Sequence, residues 1–258
     1  GSEIYKLNHR RPGERTVTVS EKTAQVLAEG LEYCRMSRGA FDITIEPLSS
    51  LWDFTGKTPH VPPEEEIEAD LKKVGYENVL LDGRQVTFLN DETTIDLGAI
   101  AKGFIADQMK AYLEENGVKS AVINLGGNVL AMGSKLDGSD YNIGIQKPFD
   151  ETGEPITSVK ISDKSVVTSG IYQRYFKADG KIYHHILDPN TGYPCENNLY
   201  SVTILTDSSL TADALSTTCF LLGYDRGMKL INQLDNVDAV FITNDNQIHY
   251  SKNFQNNQ

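Results

Sequence analysis

From Ser120 to Leu205 the chain reads mostly as short β-rich segments with no amphipathic helix among them, and this narrows its possible folds more than any other feature. Tyr141 to Gln146, Val159 to Ile161, Ser165 to Thr168, Tyr172 to Lys177, Lys181 to Ile186 and Tyr200 to Leu205 are rich in β-branched and aromatic residues. Ala178-Asp179-Gly180 separates two of them with a hairpin signal. Ser120 to Asn124 predicts a short buried strand ended by Gly126-Gly127. Helical patterns lie outside this block. Ser20 to Arg38 has a serine cap, apolar residues at Ala24, Leu27, Leu31 and Cys34, and Gly39 as its stop. Pro62-Pro63 and three glutamates from Glu64 open a second helix that Gly75 stops. Leu97, Ile100, Ala101, Phe104, Ile105, Met109, Tyr112 and Leu113 predict a third, closed by Gly117. Ser208 or Ser209 caps a fourth, running to Leu222 with Gly223 after it. Gly227 to Leu234 is a last helix, and Val237 to Thr243 with Gln247 to Tyr250 a terminal hairpin. Helices and antiparallel strands without strict βαβ alternation point to an α+β fold of mixed, largely antiparallel sheets with packed helices. No linker or repeat interrupts residues 1–258, which read as a single domain, and the polar tail from Asn253 to Gln258 is expected to fray.

Charge and cysteine content bound the partners. The formal net charge of −12 disfavours nucleic acid, which needs a basic face. A phosphate ligand would need local neutralisation by metal, lysine or helix N-termini. No run of 18 apolar residues is present, so no segment predicts a membrane span. Cys34, Cys195 and Cys219 are odd in number and far apart, which argues against a disulfide framework and against zinc.

Several groups of residues carry chemistry. Asp96-Leu97-Gly98-Ala99-Ile100-Ala101-Lys102-Gly103 is a glycine-rich approach to a helix whose first amides favour anions, and Lys102 adds a mobile positive charge. It matches neither standard phosphate-loop motif, and a plain strand-to-helix turn is the competing reading. Asp213 and Thr217 lie four residues apart and share a helix face, an oxygen pair suited to Mg²⁺, against the alternative of an exposed polar stripe. Asn124-Leu125-Gly126-Gly127-Asn128 either admits a ligand ring or merely reverses the chain. The loop from His184-His185 through Asp188-Pro189 to Pro194 invites acid/base chemistry, although its Asp-Pro and Thr-Gly pairs are ordinary turn residues. Gly39-Ala40-Phe41-Asp42-Ile43-Thr44 precedes Pro47, Leu48, Leu51, Trp52 and Phe54, an aromatic group that reads first as core packing and second as a heterocycle pocket.

Taken in order, GAFDITIEPLSSLWDF, DLGAIAKGFIAD, INLGGNV, TSGIYQRYF, HHILDPNTGYP and TADALSTTCFLLG resemble the FAD:protein FMN transferase family, the ApbE-type flavin transferases, over nearly the whole chain. The resemblance implies an ApbE-like, T-fold-type architecture. It implies an Mg²⁺-dependent enzyme that splits FAD and attaches FMN through a phosphoester to a threonine or serine of a target protein, releasing AMP. Asp213, Thr217 and the Ala99 carbonyl would hold the metal. Ala40, Phe41, Asp42, Asp96, Lys102 and the Leu187 backbone would contact FAD, and His185 matches the active-site histidine. Asp213 and His185 are the two candidates for the base. The expected partner carries an Asp-x-x-Ser-Gly-Ala-Thr/Ser-like acceptor. The expected address is extracytoplasmic, with membrane contact only through a lipid anchor outside this chain. An FAD pyrophosphohydrolase giving FMN and AMP, or a non-catalytic FAD-binding lipoprotein, are the alternatives. Ile43 and Asn128 depart from the residues frequent in the family, and so does the start, where an upstream strand and helix usually precede the part matching Ser2 to Asn8. On that ground an incomplete flavin pocket is expected.

Overall fold

A computed structural model describes residues 1–56, 58–150 and 152–254; the end of the tail expected to fray lies outside them. In chain order the elements are α1 (Glu3–Asn8), β1 (Thr16–Thr18), α2 (Glu21–Ser37), α3 (Glu46–Trp52), α4 (Glu64–Leu71), β2 (Val79–Asp82), β3 (Gln85–Phe88) and α5 (Ala101–Glu115). Then follow β4 (Ala121–Asn124), β5 (Asn128–Met132), β6 (Tyr141–Gln146), β7 (Pro155–Ile161), β8 (Ser165–Gly170), β9 (Tyr175–Ala178) and β10 (Lys181–His184). The chain ends with β11 (Leu199–Thr206), α6 (Ser209–Ile231), β12 (Asp238–Thr243) and β13 (Ile248–Tyr250). All strand pairings among the described residues are antiparallel, which is the α+β class expected. The chain divides into two compact units, one of Gly1–Gly98 with Arg174–Glu196, the other of Ala99–Gln173 with Asn197–Gln258.

The first unit holds the three-stranded sheet β1-β3-β2 and the β9–β10 hairpin. Ser20 caps α2 by accepting from Thr23 N–H, and Arg38 ends it in the left-handed region with φ 56°. Gly39 N–H then returns to Cys34 O, closing the helix as its terminal glycine predicted. The expected apolar stripe of α2 is buried. Asp179 and Gly180, with φ of 49° and 76°, make the two-residue turn of the β9–β10 hairpin. The helix α4 is shorter than expected: it ends at Leu71, and Lys73 and Val74 N–H bond back to Asp70 and Leu71 in plain turns before Gly75. Trp52, fully buried, centres a core with Leu48, Ile67 and Leu187, against which Phe54, Phe176, Tyr183 and Tyr193 pack. Its indole N–H donates to Gly192 O at 2.8 Å. The aromatic group before Phe54 is therefore core.

The second unit is built on a six-stranded sheet ordered β13-β12-β11-β8-β5-β4. On one face the β6–β7 ribbon packs through Ile145, Val159 and Ile161 onto Ala131, Val166, Leu205, Val240 and Ile242. The other face carries α6, which lies on β8 and β11 with α5 alongside it. Two expectations are corrected here. The segment read as a buried strand, β4, is the sheet's edge, and only its Ile123 is buried. The helix read from Leu97 begins at Ala101, because the Asp96 carboxylate takes Gly98 N–H at 2.7 Å and holds that stretch in a turn. The last two helices are parted at Gly223 as expected: its φ of 75° and ψ of 174° are not helical and kink α6 there.

Candidate functional site

In the second unit α5 and α6 exchange carboxylates at their N-termini. Asp107 on α5 accepts from Ser209 N–H at 2.8 Å, Leu210 N–H at 3.0 Å and Ser208 Oγ–H at 3.0 Å, so it caps α6 together with Ser208. In return, Asp213 Oδ2 accepts Gly103 N–H from the first turn of α5 at 2.8 Å. The two helix starts come this close because residue 103 is glycine. A Cβ there would lie 2.2 Å from Ser209 O and 2.7 Å from Leu210 Cα, both backbone atoms. Gly103 thus serves helix contact, and its amide is committed to protein rather than open to phosphate.

Asp213 is 3% exposed, with no ion pair among the described residues. Burial pushes its carboxyl up from the usual range, opposed by the charge of Lys102, the Gly103 amide and the Asn128 side chain. Asn128 is itself fully buried. Its Oδ1 accepts Ser209 Oγ–H at 2.7 Å, and its Nδ2 completes no hydrogen bond among the described residues. Thr217 follows one turn after Asp213 and is half-buried, with Oγ1 2.8 Å from Ser169 Oγ. Ala99 and Lys102 are also half-buried. A buried carboxylate without a cation partner, a hydroxyl one turn on and a nearby lysine form an all-oxygen donor set with local positive charge. That chemistry fits Mg²⁺ and phosphate.

The first unit carries the other residues singled out. Asp42 is 8% exposed and fully engaged: Oδ1 accepts Thr44 N–H at 2.7 Å and Thr44 Oγ1–H at 2.6 Å, while Oδ2 accepts Tyr76 N–H at 2.9 Å. Burial raises its carboxyl, and these hydrogen bonds oppose the rise. Asp96 Oδ2 accepts from Ser49 Oγ at 2.8 Å, so both of its oxygens hold the turn in place. Phe41 is buried against Tyr33, and its N–H donates to Ser37 Oγ at 2.9 Å; Ala40 is half-buried beside it. In the histidine loop, Asp188 N–H bonds Tyr193 O at 2.8 Å and Cys195 N–H bonds Ile186 O at 2.9 Å. Leu187, bridged to Pro194, is thereby left at a position whose own N–H and C=O point out of the ribbon. That orientation suits a backbone contact to ligand.

The two histidines differ. His184 is buried, Nδ1 accepts from Ile186 N–H at 3.3 Å, and Nε2 therefore donates to Cys195 O at 3.2 Å. Desolvation, and then the neighbouring His185, hold its pKa down to about 4. His185 is half-buried, with Nδ1 3.2 Å from Arg174 O, a contact that requires a proton on Nδ1. Sequence reasoning missed Asp107, which caps α6, and Ser169, which bonds Thr217; it named Ser209 only as a possible cap, whereas its hydroxyl donates to Asn128. A 770 Å³ groove elsewhere in the second unit, lined by Lys160, Lys164, Asp235, Asp238 and Phe254 among others, contains none of the residues singled out. The three cysteines are buried and form no disulfide among the described residues.

Solved structures share this architecture. The ApbE protein from Thermotoga maritima superposes with a TM-score of 0.88 at 34% identity, covering 97% of this chain and 82% of that one. The flavin transferase ApbE from Vibrio cholerae gives 0.86 at 31% identity, covering 97% and 81%. The fold is therefore that of an ApbE-type protein. A model of the ApbE family matches residues 1–241, and the chain belongs to that family. Among its relatives, the FAD:protein FMN transferase of Klebsiella pneumoniae is 39% identical over 96% of this chain and 77% of its own length. That of Treponema pallidum is 34% identical over 97% and 73%.

Proposed function

We propose that this chain is an Mg²⁺-dependent FAD:protein FMN transferase. Its relatives' shared name supports the reaction, and the observation that carries the site is the buried, unpaired Asp213 carboxylate held at the start of α5. In the reaction, the hydroxyl oxygen of a target threonine or serine attacks the FMN phosphorus of FAD. The bond from that phosphorus to the bridging oxygen breaks, AMP departs with the electron pair, and the hydroxyl proton passes to a base. Asp213, Thr217 and the Ala99 carbonyl would hold Mg²⁺, which supplies charge stabilisation for the pyrophosphate. Lys102 adds positive charge to the phosphates. Ala40, Phe41, Asp42, Asp96 and the Leu187 backbone are the proposed FAD contacts. With their oxygens bonded internally, Asp42 and Asp96 act chiefly by fixing the loops that carry those contacts. Asp213, committed to the metal and to Gly103, and His185 remain the candidates for the base.

The acceptor is proposed to be an Asp-x-x-Ser-Gly-Ala-Thr/Ser-like segment of another protein, reached outside the cytoplasm from a lipid anchor. No helix among the described residues is long and apolar enough to cross a membrane. Incubation with FAD, Mg²⁺ and an acceptor peptide tests the reaction. Flavin-labelled peptide with AMP released is expected. FMN and AMP without labelling would replace transfer by hydrolysis, and unchanged FAD would leave only binding. Asp213→Ala should lower labelling by roughly 10²–10³; wild-type rates in that variant at ordinary Mg²⁺ would overturn the metal assignment. Cell fractionation of the full-length gene product tests the address, and a cytoplasmic product would refute it.

A further inference from the structure

Behind Thr217 lies a chain of hydroxyl groups whose direction the geometry fixes. Ser169 on β8 sits 2.8 Å from Thr217 Oγ1 and 2.8 Å from Ser216 Oγ, and Ser216 Oγ in turn lies 2.9 Å from the backbone carbonyl of Asp213. These three contacts have three hydroxyl protons to share. The carbonyl only accepts, so the Ser216 proton must go to it. Ser216 then accepts from Ser169, and Ser169 in turn accepts from Thr217. No other assignment satisfies all three contacts. Ser216 is fully buried and Ser169 is 9% exposed, so water does not readily substitute for either partner. The Thr217 proton is thereby turned toward the sheet, and the oxygen lone pairs face away from it.

We infer that Ser169 is a positioning residue, which holds the Thr217 hydroxyl as an oxygen donor for a divalent cation through the wire Thr217 to Ser169 to Ser216 to the Asp213 carbonyl. The inference rests on the metal reading above and deepens it. A hydroxyl free to rotate spends part of its time aiming its proton at the cation; one whose proton is claimed by Ser169 does not. Because the wire ends on the backbone of Asp213 itself, the carboxylate and hydroxyl ligands share one rigid support, a turn of α6. Partners behind the ligands of a metal site typically account for 10–100-fold in metal affinity.

The test is direct Mn²⁺ titration of the purified protein by electron paramagnetic resonance, with Mg²⁺ dependence of acceptor-peptide labelling measured in parallel. Ser169→Ala should weaken Mn²⁺ binding about ten-fold or more. It should raise the Mg²⁺ concentration for half-maximal labelling by a similar factor, while labelling at saturating Mg²⁺ returns near wild type. Ser169→Thr, which keeps the hydroxyl on a strand, should restore affinity. Ser216→Ala, which removes the end of the wire, should weaken binding less. In a Thr217→Val background, Ser169→Ala should add nothing, since the two act through one atom. If Thr217→Val and Asp213→Ala weaken Mn²⁺ binding but Ser169→Ala does not, the wire is refuted and the metal site stands. If Asp213→Ala leaves Mn²⁺ binding intact, the metal reading falls and the wire with it. Equal losses on adding Ser169→Ala to wild type and to Thr217→Val would show a merely structural serine and overturn the inference.

Discussion

His184 should make the first unit acid-sensitive well above the range where most carboxylates titrate. Its neutral ring is buried with both nitrogens used, so the folded chain resists protonation down to about 4, against an ordinary 6.5. The sign follows from linkage. Between these values the unfolded chain binds a proton that the folded chain refuses, so stability is full above about pH 6.5 and falls as the pH drops toward 4. The whole gap is worth about 3 kcal/mol, and at pH 5.5 the loss already amounts to about 1.4 kcal/mol. That pH keeps the protein clear of its isoelectric point near 4.9. The chain has a single tryptophan, and Trp52 is buried in the same core as Leu187, so its fluorescence follows unfolding of this unit. Urea unfolding of wild type and His184→Gln at pH 8.0 and 5.5 is the assay. The other carboxylates and histidines titrate in both proteins, so the difference between them isolates His184. The stability of wild type relative to the variant should fall by about 1.4 kcal/mol over that interval. Parallel losses in the two proteins would show that His184 takes up its proton without cost, and the reasoning from burial would be wrong.

Gly103→Ala should destabilise the second unit by roughly 1–3 kcal/mol or more, because the new methyl meets backbone atoms of α6 that cannot swing aside; thermal unfolding unchanged from wild type would contradict that helix contact. The same variant should weaken Mn²⁺ binding, since it parts Asp213 from the amide that holds it, and a titration checks this. With Mg²⁺ present, Lys102→Ala should weaken FAD binding more than riboflavin binding in a fluorescence titration, because only FAD carries the pyrophosphate. Equal losses would place its effect on the fold or the ring pocket instead.

Much of the fold was legible because it is written in short-range signals. Ser20, Gly39 and the stripe from Ala24 to Cys34 act within a single helix, and Asp179-Gly180 within a single turn, so sequence alone specifies them. The helix α1 carries a cap, Ser2 accepting from Tyr5 N–H, but is too short to show a repeating apolar stripe. It is six residues long and is held by Asn8, whose side chain donates to Ile95 O and accepts Ile95 N–H, a pairing 87 residues apart. Burial of β4 was misread because an edge position depends on strand order, which its four residues do not encode. At the site, Asp213 and Thr217 were legible as neighbours on one helix face from their spacing, and α6 carries both; the metal role proposed for them came from the family resemblance. The roles of Gly103, Asp107 and Ser169 were not legible, because each acts on a partner brought up by tertiary packing. Glycine in a glycine-rich helix approach is read most simply as room for a ligand, whereas at 103 the room is taken by the backbone of another helix.

The carboxylate exchange between α5 and α6 inverts the sign of what the start of α5 offers. A bare helix start attracts anions; this one already has an anion of its own bound at Gly103. Asp213 offsets the positive charge of Lys102, so a polyphosphate meets little net attraction until a divalent cation is seated there. Cation and polyphosphate should therefore bind with positive cooperativity, each raising the other's affinity by the same factor, as thermodynamic reciprocity demands. In metal-free solution the pyrophosphate then adds little to affinity, and FAD should bind little better than riboflavin.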